Sequence, residues 1–113
     1  MERLETFPNP KIGRPYTITH SNPEFTSMCP KTGLPDFATI EVHYIPDQLC
    51  LELKALKYYF LDFRNKGIFY EAVTNLILDE LVEACKPLEM TITALWGARG
   101  GISSIIEAKY TKE

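Results

Sequence analysis

Phe37-Ala38-Thr39-Ile40-Glu41-Val42-His43-Tyr44-Ile45 is the stretch from which the fold is read. Ala38, Ile40, Val42 and Tyr44 alternate with Thr39, Glu41 and His43, as in a strand with one buried and one wet face. Pro46-Asp47 closes it. The same alternation puts His43 on the polar face, as a solvated or interface histidine. Downstream the period changes. Leu51 to Arg64 carries Leu53, Leu56, Phe60 and Phe63 along a helical stripe, ended by Asn65-Lys66-Gly67. Phe69 to Cys85 repeats the pattern with Phe69, Val73, Leu76, Ile77, Leu81 and Ala84 inward, Asp79, Glu80 and Glu83 outward, and Pro87 as its stop. Alternation returns in Leu88 to Trp96 and, more loosely, in Ile102 to Tyr110, across a turn at Gly97-Ala98-Arg99-Gly100-Gly101. Upstream, Tyr16 to His20 alternates briefly, and residues 1–15, broken by Pro8, Pro10 and Pro15, read as an extended arm.

The order strand, strand, helix, helix, strand, strand implies an α+β fold, an antiparallel four-stranded sheet with two helices on one face. Thr39, Glu41, Thr91, Thr93, Ser103 and Lys109 fall on the uncovered face, which suits a wet surface or the wall of an oligomeric channel. A chain of 113 residues fits one domain, and at that size subunit contacts add useful buried surface. Its 45% hydrophobic and 24% charged residues exclude disorder, and a net charge of −3 argues against a nucleic-acid partner. No apolar run reaches the ~20 residues of a membrane span, and Met-Glu-Arg-Leu-Glu-Thr-Phe-Pro lacks a signal-peptide core. Three widely spaced cysteines, no Cys-x-x-Cys and no metal-spaced partner for His20 or His43 point to a cytoplasmic chain without a metal.

Pro23 to Phe37 reads as a shaped loop, since Pro30, Gly33 and Pro35 punctuate it, and it holds Cys29 and Asp36. Fixed in such a loop, a thiol can act as a nucleophile and a carboxyl can move its proton. A buried structural cysteine is the plainer reading. Cys50 and Cys85, at helix ends, read as structural thiols. Lys54 and Lys57 share a helix face near an N-terminus, which suits a phosphate as well as open solvent. Arg99 in its glycine turn is a second candidate phosphate contact. Glu71, after Phe69-Tyr70, is either a first-turn glutamate or an acceptor for a guanine-like edge.

Glu24-Phe25-Thr26-Ser27-Met28-Cys29-Pro30-Lys31-Thr32-Gly33, running on through Asp36-Phe37-Ala38-Thr39-Ile40, resembles the 7-cyano-7-deazaguanine reductases, the nitrile reductases of queuosine biosynthesis. Glu52, Lys54, Lys57, Tyr58 and Tyr59 match a second motif of that family, and the similarity runs from Phe7-Pro8-Asn9 to Ile102-Ser103. The resemblance implies the tunnelling fold, with sites between subunits of a ring and, in unimodular members, stacked rings. It implies that Cys29 adds to the nitrile carbon to give a covalent thioimide, with Asp36 as the proton carrier. NADPH-dependent reduction then gives 7-aminomethyl-7-deazaguanine. Leu51, Glu52, Leu53, Tyr70 and Glu71 would contact the substrate, and Lys54, Lys57 and Arg99 the cofactor. Tyr70 departs from the pattern, because the family usually has histidine there. Two rival readings are a related amidinotransferase acting on a nitrile in tRNA, whose members lack the lysine motif, and a non-catalytic purine-binding ring protein.

Overall fold

The computed structural model describes residues 4–113. Its elements, in chain order, are β1 (Thr6–Pro8), β2 (Ile18–Met28), β3 (Pro35–Ile45), β4 (Leu49–Leu51), α1 (Leu53–Leu61), α2 (Tyr70–Cys85), β5 (Glu89–Arg99) and β6 (Ile102–Thr111). The four long strands form one antiparallel sheet in the order β2-β3-β5-β6, and both helices cover the same face. The α+β expectation therefore holds.

β3 reads as the alternation requires. Ala38, Ile40, Val42 and Tyr44 are buried, in register with Trp96, Ala94, Ile92 and Met90 of β5. Val73, Ile77 and Leu81 of α2 close over them to make the core. His43 lies on the other face, beside Thr19 and Glu41.

β2 is longer than the short strand expected at Tyr16–His20. It runs through a register shift between Asn22 and Phe25 and takes in the first half of the stretch read as a loop. The shift sits at Pro23. A proline is tolerated there because β2 is an edge strand, so its missing N–H leaves no partner unpaired. Beyond the irregularity Phe25 points inward, its ring 5.9 Å from Phe60, 5.6 Å from Phe63 and 6.0 Å from Trp96. The loop itself is only Cys29–Leu34, and the arm is not free chain. Thr6–Pro8 pairs with β4, and buried Asn9 donates to the Asp47 carbonyl at 2.8 Å. Residues 1–3 of the expected arm lie outside the described residues.

The helix ends also differ from the periodic reading. α1 begins after Glu52, whose carboxylate accepts from the N–H groups of Lys54 and Ala55 at 2.8 and 2.9 Å. Leu53 is therefore in the first turn and 62% exposed, not on the buried stripe. The helix stops at Leu61, several residues before Gly67. α2 begins after Phe69, which is 53% exposed, and ends at Cys85 with Lys86 in the left-handed conformation ahead of Pro87. The β5–β6 turn is confined to Gly100-Gly101, so Arg99 ends a strand. On the open face the threonines and charges are joined by exposed Phe37, Leu95 and Ile105, the last two register partners.

Candidate active site

The loop after β2 is fixed at both ends. The Cys29 N–H donates to the Leu34 carbonyl at 2.9 Å, and the Gly33 N–H to the Cys29 carbonyl at 2.8 Å, with Gly33 at φ +71°. Met28 exchanges bonds with the α1–α2 connection, donating to Lys66 O at 2.9 Å and accepting from Ile68 N at 3.0 Å. Backbone bonding, not the sulfur, therefore sets where Cys29 stands. Its thiol is partly exposed and opens into a cavity of about 280 Å³. The Thr32 hydroxyl and the N–H groups of Lys31 and Thr32 hold it below the usual thiol range, against partial desolvation and the charge of Asp36.

Asp36 lies on the inner face of β3, 3% exposed, in register with buried Ser27. Its Oδ1 accepts from the Tyr70 hydroxyl at 3.3 Å and from Nη1 of Arg99. Tyr70, at the start of α2, stacks on Trp96 with centroids 3.9 Å apart and planes 3° from parallel, which fixes the direction of its hydroxyl. Burial, then the negative charge of Asp36, pushes the phenol up, so it stays a hydrogen-bond donor at neutral pH. Glu71, exposed in the same first turn, completes the rim.

Cys29, Asp36, Tyr70, Glu71 and Arg99 thus share one cavity. The other candidates do not reach it. Leu51 is buried in β4, Leu53 faces solvent, and the Glu52 carboxylate caps its own helix, taking two of the N–H groups that an anion would otherwise meet. Lys54 and Lys57 ride on α1. Lys57 borders a separate groove of about 320 Å³ with Pro23, Glu24 and Phe60. Arg99, expected on a phosphate, is found on Asp36. Sequence reasoning missed three neighbours of this cavity: Thr32, Trp96 as a platform for Tyr70, and Ser27, whose buried hydroxyl has no hydrogen-bond partner among the described residues. Reading β2 through its irregularity would have placed Phe25 and Ser27 inward together.

Residues 35–113 match the family model described as QueF-like protein, a span that starts just past Cys29. Curated relatives cover that part too. A protein of Chloroherpeton thalassium named NADPH-dependent 7-cyano-7-deazaguanine reductase is 63% identical over 112 residues, 99% of this chain and 97% of the relative. One of the same name from Chlorobaculum tepidum is 61% identical over 111 residues, 98% of this chain and 95% of its own length. Among solved structures, the apo archaeosine synthase QueF-Like superposes with a TM-score of 0.77 at 19% identity, over 91% of this chain and 99% of that one. That likeness carries the tunnelling fold; the sequence identities carry the family. With its strand order, its loop thiol and near full-length identity to curated members, the chain belongs to the QueF-like family, that of the 7-cyano-7-deazaguanine reductases.

Proposed function

We propose that the chain is an NADPH-dependent oxidoreductase that reduces the nitrile of 7-cyano-7-deazaguanine to 7-aminomethyl-7-deazaguanine. One observation carries the reading: a thiol held below its usual range and a buried carboxyl open together on a cavity near the lower end of the size typical of small-molecule sites. The Cys29 sulfur bonds to the nitrile carbon as one carbon–nitrogen π bond breaks. Asp36 takes the thiol proton and delivers it to the nitrogen, so the product is a neutral thioimide. Glu71 accepts from the N–H and amino edge of the base, with Tyr70 beside it.

For the cofactor, Lys54 and Lys57 make no ion pair among the described residues, and Lys57 flanks the α1 groove, a donor set that fits the phosphates of a dinucleotide. When bound, NADPH supplies the reducing equivalents that carry the nitrile to the amine. Leu51, Glu52 and Leu53 stand at the same helix start. Because these residues are remote from the Cys29 cavity within one chain, the reading includes a homo-oligomer of stacked rings in which one subunit's α1 faces another's cavity. Exposed Phe37, Leu95 and Ile105 on the open sheet face support such contacts. We place the reaction in the cytoplasm, on the free base and without a nucleic-acid partner. Among the described residues no helix is long and apolar enough to cross a membrane.

The test is NADPH oxidation with the free nitrile base, together with intact mass after incubation without cofactor. Oxidation plus a covalent adduct is expected. An adduct without oxidation favours the amidinotransferase, and neither result leaves a purine binder.

The family resemblance leads to histidine where this chain has Tyr70. A phenol raised by burial passes protons poorly near neutral pH, which spares covalent capture and slows a later protonation. Tyr70→His is expected to raise turnover about tenfold or more while leaving adduct yield unchanged. Equal turnover in the two proteins would remove the phenol from the slow step.

A further inference from the structure

An anionic sulfur and an anionic carboxylate in one cavity repel each other, and each disfavours the ionisation of the other. Cys29 and Asp36 share one cavity, and the carboxylate charge works against the thiol. The titratable and charged groups that face the pair come from every wall. Tyr70 and Glu71 come from α2, neutral at pH 7 and acidic respectively, and Arg99 comes from the end of β5. The loop's Lys31 bonds the sulfur through its N–H and is not among the residues lining the cavity. Among the described residues, Arg99 is thus the one cation lining the cavity. Its guanidinium donates to Oδ1 of Asp36 and feels the charge of Cys29 as well, so it lies within electrostatic reach of both. It is also 38% exposed, at a strand end followed by two glycines at positive φ.

We propose that Arg99 is the positioning residue of the Cys29–Asp36 pair: it fixes the carboxylate by one oxygen, leaving the other to take the thiol proton, and screens the sulfur from the carboxylate charge. The geometry fits the task. Arg99 and Tyr70 both bond Oδ1, which orients the other carboxylate oxygen. A neutral residue at this position would leave two like charges unscreened, and the sulfur would keep its proton to higher pH. This role rests on the reading of the site given above, but its first test needs no nitrile.

Alkylation of Cys29 by iodoacetamide is followed by intact mass as a function of pH; Cys50 and Cys85 are buried and contribute little. In Arg99→Gln the alkylation midpoint is expected to rise by about one pH unit, the order of shift that follows loss of a nearby opposite charge. Arg99→Lys keeps the cation and is expected to stay within about half a unit of the unaltered protein. In an Asp36→Asn background the Arg99→Gln shift is expected to shrink, since less negative charge remains to screen. Superimposable profiles for the unaltered protein and Arg99→Gln would overturn the proposal. So would an equal shift with and without Asp36, which would show Arg99 acting on the sulfur alone. A second readout uses 7-cyano-7-deazaguanine without NADPH. Adduct formation at pH 7 is expected to be about tenfold slower in Arg99→Gln, because a carboxylate no longer fixed by Arg99 relays the thiol proton less well, and not to recover as pH rises by a unit, since the nitrogen still needs that proton. If the unaltered protein forms no adduct, the nitrile reading fails while the alkylation profiles still decide the role of Arg99.

Discussion

Cys29→Ala is expected to form no covalent adduct with 7-cyano-7-deazaguanine and to lower NADPH turnover by at least about a thousandfold. The size follows from what is removed. With no sulfur to bond to the nitrile carbon, the remaining groups can bind and polarise the base but cannot give a thioimide. Neither other thiol can stand in. Cys50 and Cys85 are buried in the core, and burial pushes Cys85 up to about 12. Folding should be spared, because the loop is held by the backbone bonds of Met28, Cys29 and Gly33 and the sulfur is partly exposed. A melting shift beyond that of an ordinary surface change, about 0.5 kcal/mol, would mean that the thiol packs. Equilibrium binding of the base should survive, since Glu71 is untouched. Retained turnover in this variant would take the sulfur out of the reaction and return the chain to the purine-binder reading.

Legibility in the sequence followed the strength of each period. β3 and β5 alternate without interruption, and Val73, Ile77 and Leu81 keep helical spacing, so the sheet face and its cover were readable from local pattern. β2 was not, because Pro23 and the register shift beside it break the alternation just where the strand changes face. Leu53 and Phe69 misled for another reason. Both continue a hydrophobic stripe into a first turn or cap, where the neighbouring elements no longer cover the helix. The thiol and the acid were legible as a pair because they stand seven positions apart in one punctuated segment. Their regulators were not. Tyr70 and Arg99 reach Asp36 across 34 and 63 positions of chain, and only the pairing of β3 with β5 and the docking of α2 bring them there. No local signal distinguishes an arginine bound for a carboxylate from one bound for a phosphate.

Asp36→Asn separates proton transfer from thiol reactivity, because it should move the two in opposite directions. Addition of Cys29 to the nitrile at pH 7 is expected to fall by about 10²–10⁴-fold, the usual contribution of a positioned acid–base group. An amide cannot take the thiol proton or hand it to the nitrogen. Alkylation by iodoacetamide needs only the thiolate. The Thr32 hydroxyl and the N–H groups of Lys31 and Thr32 still favour that form, and the opposing charge of Asp36 is gone, so its midpoint should move to lower pH. The asparagine carbonyl can still accept from Tyr70, and Arg99, 38% exposed, keeps access to water, so no buried charge is orphaned. Were both rates to fall together, the substitution would have distorted the loop instead. Were nitrile addition to stay at the unaltered rate, Asp36 would be the partner of Arg99 and nothing more, and the proton would have to reach the nitrogen from Tyr70 or from solvent.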